Sequence, residues 1–95
     1  MYEVKVTVKW STMTLKEWKE KNDEGEWETG TEEVWSKEEP IADLRVRLET
    51  NYDNVENYDK VYEVIEEWQN RTGLVDDEST EIYTYWDLEK ARVVK

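Results

Sequence analysis

The sequence contains no cysteine and no histidine, and these two absences exclude several kinds of chemistry. Without cysteine there is no disulfide framework and no thiolate site. Without histidine the chain lacks the usual metal ligand, the usual general base and the usual switch near neutral pH. Its three glycines are too scattered to form a phosphate-binding loop. We therefore expect no metal site, no cofactor and no enzymatic activity.

Long apolar runs are also missing, and the chain carries no apolar signal region after Met1. We therefore expect a cytoplasmic protein without membrane contact. The length of 95 residues predicts one compact acidic domain, residues 1–95, with a modest core. Phenylalanine is absent, so all twelve aromatic residues are tryptophan or tyrosine. Such side chains suit interfaces as well as the strand faces of a thin core, and we favour the core.

Alternating apolar and polar residues predict two strands. The first pattern runs from Tyr2 to Trp10, with valines at every second position between them. The second places Leu44, Val46 and Leu48 on one face, although Ile41, Leu44 and Leu48 also fit a helix. Two further β-rich stretches, residues 81–87 and 91–94, follow near the C-terminus.

The middle of the chain leaves two structures open. Thr14 and Glu17 have the spacing of a helix capping box, whereas residues 22–25 form a hairpin-like turn between residues 16–21 and 26–29. We favour the hairpin, with the second strand continuing over residues 31–36 past a bend or bulge at Gly30. Residues 40–43, after Ser36 and Glu39, are predicted to form a short helical turn.

One long amphipathic helix is predicted near residues 53–71, ending at Gly73. At about 100° per residue, its apolar arc contains Val55, Tyr58, Val61, Tyr62, Ile65 and Trp68, with Val64 just outside. Its acids fall on the opposite side. The predicted fold class is therefore α+β, an antiparallel sheet of about four to six strands packed against this helix.

The net charge of −12 comes from two blocks of the chain. Residues 22–43 hold nine acids against one lysine, and residues 51–89 hold twelve acids against one lysine and one arginine. Like charges three and four residues apart destabilise a helix, so folding alone does not explain the second block. Carboxylates that repeat on successive turns could instead imitate phosphates, and residues 23–33 or 76–78 could extend that surface.

In size and charge alone, the chain resembles the acidic DNA-mimic inhibitors of bacteriophages and mobile elements, which include anti-restriction and anti-CRISPR proteins. The resemblance implies a non-enzymatic inhibitor whose partner is a protein with a basic nucleic-acid-binding groove. The expected contacts are Glu56, Asp59, Glu63, Glu66 and Glu67 on the helix, then Asp23, Glu24, Glu26, Glu28, Glu32 and Glu33, with Trp27 and Trp35 as apolar anchors. Direct nucleic-acid binding is not expected, because the acids would repel phosphates.

A rival hypothesis is a structural or assembly module, such as a small virion or accessory component. Edge strands and surfaces rich in tyrosine and tryptophan could pair subunits. A third reading is that the charge only keeps an ordinary binding module soluble. The sequence does not define the oligomeric state.

Overall fold

The computed structural model describes all residues, 1–95, and confirms the α+β fold. Five strands form an antiparallel sheet and one helix packs on it. The strands are β1 (Tyr2–Lys21), β2 (Trp27–Trp35), β3 (Glu39–Leu48), β4 (Thr80–Tyr85) and β5 (Arg92–Val93), and the helix is α1 (Val55–Thr72). A short 3₁₀ turn, Leu88–Lys90, precedes β5.

The 20-residue strand β1 organises the sheet, because every other strand pairs with it. Its first half lies between β3 on one edge and β4 and β5 on the other. Its second half, from Met13 to Lys21, pairs with β2 alone. The predicted hairpin is therefore confirmed, and the capping-box helix is not formed.

The core lies between α1 and one face of the sheet. Val4, Val6 and Val8 of β1 are buried there, together with Leu44, Val46 and Leu48 of β3. The helix contributes Val61, Ile65 and Trp68. The alternation in the sequence thus defines which sheet face is covered, as the period of two requires.

Both ends of α1 are capped. The Asn54 side chain accepts the Asn57 N–H (2.9 Å), which satisfies one of the free N–H groups of the first turn. Gly73 ends the helix with φ of 74°, and its N–H donates to the Gln69 carbonyl. This left-handed conformation costs glycine little, so the predicted helix end is confirmed.

Residues 13–35, called the arm, project from the body of the protein. A compact chain of this length has a radius of gyration of about 12 Å, whereas the value here is 20.4 Å, with a longest dimension of 71 Å. Residues 14–21 alone extend about 26 Å at the rise of a strand. Side chains from Thr14 to Glu39 are almost all exposed, so the arm is a two-stranded ribbon with solvent on both faces.

Two local predictions were wrong. The pairing of β1 with β2 runs through Gly30 without a register shift, so no bulge forms there. The shift occurs instead between β1 and β3, where Val8 faces Ala42 and Lys9 faces Pro40, leaving Ile41 as the extra residue. Pro40 lies in β3 and not in a helical turn; β3 is an edge strand, where a missing N–H is tolerated.

The helix also buries a narrower stripe than the wheel predicts. Val55 is 73% exposed and Tyr62 is 57% exposed. In their place, the polar Asn57 is buried, donating from its side chain to the carbonyls of Tyr52 (2.7 Å) and Thr50 (3.2 Å). Of the six tryptophans only Trp68 is fully buried, so the preference for a core role was wrong for those in the arm.

Candidate protein-binding surfaces

The five predicted helix acids form one continuous surface. Glu56, Asp59, Glu63, Glu66 and Glu67 are all exposed, and they lie away from the stripe that α1 buries against the sheet. We call this set the helix acidic surface. Lys60 is the single base among them. It stands four residues after Glu56 and three before Glu63, yet forms no ion pair within 4.0 Å with either.

Carboxylates without ion pairs are a general property of this molecule. Among 25 acidic residues, Glu3 alone forms salt bridges, and its two partners are Arg45 and Arg92. The acids of the helix acidic surface and of the arm therefore have no base within 4.0 Å, although Lys16 faces Glu32 across the arm. Their repulsion opposes folding by a few tenths of a kcal/mol for each close pair on the helix.

The arm holds all eight remaining predicted contacts. Its loop, residues 22–26, is closed by the Asn22 side chain, which accepts the N–H groups of Glu24 (3.0 Å) and Glu26 (2.9 Å). Gly25 supplies a positive φ of 80° in this loop. The arm acids Asp23, Glu24, Glu26, Glu28, Glu32 and Glu33 are exposed, so the outer end of the arm is strongly negative.

Aromatic side chains of the arm are also presented to solvent. Trp27 is 66% exposed at the outer end, where the Lys21 ammonium lies 5.4 Å from its ring centroid. Trp35 is 37% exposed at the base, opposite Met13. The Trp18 ring lies against Gly30, directly across the ribbon, and the missing Cβ leaves room for it. The glycine therefore has a packing role that the sequence did not reveal.

The two acidic surfaces lie on separate parts of the molecule. The helix acidic surface belongs to the body, and β2 forms its ladder with β1 alone. The acidic loop of residues 76–78 leads from the end of α1 to β4, whose start meets the arm base through the Met13 N–H and the Ser79 carbonyl (2.8 Å). In that loop the backbone N–H and hydroxyl of Ser79 donate to Asp77, and these bonds lower the pKa of its carboxyl group.

A third charged surface is basic, and it adds Arg45 and Arg47 to the lysines and arginine that the two basic ends of the sequence could bring together. The sheet face opposite the helix carries a group of bases from three strands: Lys5 and Lys9, Arg45 and Arg47, and Arg92. They share a face because directly paired residues of an antiparallel sheet point the same way. The signal was present, since basic residues alternate with the buried ones in both β1 and β3. It emerges only once the strand pairing is known.

Glu3 forms ion pairs with two of the bases on this face. Its Oε1 accepts from Arg92 Nη2 (2.8 Å) and Arg45 Nη1 (2.9 Å), and its side chain is only 10% exposed. The two guanidinium groups, Arg92 first, lower the pKa of the Glu3 carboxyl group. On the same face Tyr83 donates to Glu81, which raises the pKa of this tyrosine to about 12. A shallow depression of about 570 Å³ borders the face beside Lys5, Tyr85 and Lys90.

No protein-family model matches the chain, and neither the curated proteins nor the solved structures gave a match. Function must therefore be argued from the surfaces themselves. No three carboxylates converge in a way that could hold a metal ion. The single long helix is too polar to cross a membrane.

Proposed function

We propose that this chain is a small acidic inhibitor that binds a protein with a basic nucleic-acid-binding groove, with carboxylates taking the place of phosphates. The observation that carries the proposal is the absence of ion pairs among the acids outside the basic face. Like charges three and four residues apart oppose folding of the helix, so stability alone does not explain this arrangement. These carboxylates stay free, on exposed surfaces, for an external partner.

The spacing of the helix acidic surface suits a phosphate-binding groove. From Glu56 to Glu67 the helix rises about 16 Å, and five carboxylates over this length average one per about 4 Å. One strand of duplex DNA carries one phosphate per about 3.4 Å of helix axis. A groove that neutralises a row of phosphates with lysine and arginine would therefore meet a similar linear charge density.

The arm adds reach and an apolar contact. Its outer end carries Asp23, Glu24 and Glu26 in the loop and the exposed ring of Trp27 beside it. Because the arm is only two strands wide, it can enter a groove that is too narrow for the body. An aromatic ring buried at the centre of an interface contributes far more affinity than charges at the rim.

The role that fits these surfaces is counter-defence by a phage or mobile element, of the anti-CRISPR or anti-restriction kind, acting in the host cytoplasm without chemistry of its own. The first experiment is a pull-down with the tagged protein from bacterial lysate at low and high salt. Capture of a DNA- or RNA-binding protein, released by salt or by added nucleic acid, supports the proposal. Partners indifferent to nucleic acid contradict it.

Charge reversal on the helix then tests the acidic surface directly. Asp59→Lys combined with Glu63→Lys should weaken binding of the captured partner at least about 100-fold, since like charges across an interface cost several kcal/mol. The melting temperature should not fall, because both side chains are exposed. A matched control, Glu49→Lys with Glu89→Lys, makes the same change in net charge at exposed positions outside both acidic surfaces. Equal losses in the two variants would mean that only net charge matters.

A second candidate function, an assembly module, is favoured by the arm itself. A two-stranded ribbon with solvent on both faces is marginally stable in water unless something packs on it. Leu15 is 65% exposed and Val34 40% exposed, so the arm presents apolar side chains as well as acids. Binding that resists salt and requires these two residues would favour assembly over mimicry.

A further inference from the structure

One edge of β1 is unpaired in the arm from Thr14 to Lys21. In the body this edge of β1 pairs with β4, and the pairing ends at Thr12. One more hydrogen bond follows, from the Met13 N–H to the Ser79 carbonyl. The opposite edge is occupied throughout, by β3 and then by β2, with the Ser36 N–H donating to the Thr12 carbonyl (2.9 Å) at the junction. From Thr14 to Lys21 the β4 side of β1 therefore faces solvent.

The free backbone groups on this edge can be assigned. Successive residues of a strand direct their N–H and C=O groups to opposite edges. Met13 donates toward β4, so the odd-numbered residues that follow direct both groups to the free edge: Leu15, Glu17, Lys19 and Lys21. An unpaired row of this kind is a template for another strand.

The side chains along this edge are self-complementary. Residues 16–20 read Lys-Glu-Trp-Lys-Glu, with Trp18 at the centre. When two such strands run antiparallel about a twofold axis at Trp18, Lys16 faces Glu20 of the other copy and Glu17 faces Lys19. All four charged residues of each copy then meet an opposite charge, which stabilises a cross-strand pair.

We propose that two copies of this chain pair through the free β1 edges of their arms, in this register, to form a continuous four-stranded sheet in the order β2, β1, β1 and β2. Odd residues face odd residues in this arrangement, so the free N–H and C=O groups meet each other. About eight backbone hydrogen bonds can form across the axis. An isologous contact of this kind closes on itself and stops at the dimer.

Other pairings of the same arms are disfavoured by charge. Shifting the register by two residues in one direction places Glu17 opposite Glu17. In the other direction Lys19 faces Lys19, and only the two Glu17–Lys21 pairs join opposite charges, against four such pairs in the proposed register. A parallel arrangement in register also sets like charges side by side. On the outer edge, β2 carries Glu28, Glu32 and Glu33 and no base, so two β2 edges repel each other.

Dimerisation goes beyond the proposed inhibitory function and does not depend on it. The dimer would use the free edge of β1, whereas the proposed inhibitory contacts lie on α1, on the loop of residues 22–26 and on β2. At about 0.15 M salt, charges separated by more than about 8 Å are largely screened. Repulsion between the distant parts of the two acidic bodies is then weak, whereas charges across adjoining strands still interact, as do the acids of loop 22–26 with loop 76–78 of the other copy.

Sedimentation equilibrium of the full chain, at concentrations up to about 1 mM, measures the dimer. Glu17→Lys and Lys19→Glu are the informative single variants, because their partners within the arm are the uncharged Thr31 and Thr29. Each places two like-charge pairs across the axis and should raise the dimer dissociation constant about tenfold. The double variant restores opposite charges at both pairs and should recover the wild-type constant. Glu33→Lys is the matched control, because Glu33 lies on β2 and faces Leu15 of β1. This variant should not weaken the dimer.

Mixing the two single variants gives a second readout. A chain with lysine at 17 and 19 complements a chain with glutamate at both positions, so the mixture should form a heterodimer more tightly than either variant forms a homodimer. A wild-type chain that stays monomeric over this concentration range overturns the proposal. A dimer whose dissociation constant is the same in the wild type and in the variants at positions 17 and 19 also overturns it. Both outcomes leave the proposed inhibitory function standing, because that function is tested by partner capture and by the helix variants.

Discussion

Gly30→Ala should destabilise the arm, because the Trp18 ring occupies the place of the new side chain. A Cβ built on Gly30 would lie 2.6 Å from Trp18 Cε2 and closer still to Cζ2. Ordinary carbon–carbon contacts are about 3.5–4.0 Å, so the ring must move by about 1 Å or swing away. Trp18 is 38% exposed, so the rest of its surface is covered where it stands.

The size of the effect follows from that covered area. Tryptophan buries about 150–250 Å² when fully covered, so Trp18 hides about 100–150 Å², which corresponds to at most about 4 kcal/mol at 25 cal/mol per Å². Partial movement of the ring loses only part of this, and we expect the arm to be destabilised by about 1–2 kcal/mol. Melting of the body should change little, because the arm shares no core with it.

Amide hydrogen exchange of residues in the arm is the suitable assay, since it reports local opening separately from global unfolding. In a Trp18→Ala background the same Gly30→Ala change meets no ring. There it should be neutral, or stabilise the strand by about 0.5–1 kcal/mol through the lower flexibility of alanine. If Gly30→Ala accelerates exchange equally with and without the Trp18 ring, the close packing is not the reason for glycine at this position.

Two further predictions concern the body. Asn57→Ala should lower the free energy of unfolding by about 1–3 kcal/mol in chemical denaturation, because it removes the hydrogen bonds that this buried amide donates to the carbonyls of Tyr52 (2.7 Å) and Thr50 (3.2 Å). Glu3→Gln should remove a stabilisation that is present above the ordinary pKa of 4.5 and disappears as the pH falls through the lowered folded-state pKa. Melting of the wild type and of this variant should therefore differ at pH 7 and converge in acid. A difference that persists below the folded-state pKa would contradict the role of the Arg92 and Arg45 contacts.

Periodicity in the sequence was enough to identify the main elements of the body. The alternation of valines in β1 and of Leu44, Val46 and Leu48 in β3 reports burial against α1, so it predicts the strands and the covered face together. The end of α1 at Gly73 was equally clear, because its left-handed φ marks a helix stop. These signals are local, and each depends on a single chemical preference.

Features that depend on pairing between distant segments could not be predicted. The length of β1 is hidden because apolar alternation fades after Trp10, where the strand leaves the core and continues into the arm. Val55 and Tyr62 are exposed because the sheet covers only a narrow stripe of the helix. A helical wheel does not show the width of that stripe. The basic face likewise requires the register of β1 with β3 and β5.

Charge is segregated across this protein, and the segregation explains how one small chain can support both proposals. The covered face of the sheet lies under an acidic helix, whereas the open face is basic and carries the only ion pairs, those of Glu3. Charge is also divided between the two strands of the arm. All charged residues of β2 are acids, whereas β1 holds both lysines and glutamates there. Pairing through β1 leaves the β2 acids and the helix acidic surface exposed, so a dimer would present each acidic surface twice. A partner with two equivalent grooves would then bind the dimer more tightly than the monomer, through effective concentration and not through any new contact.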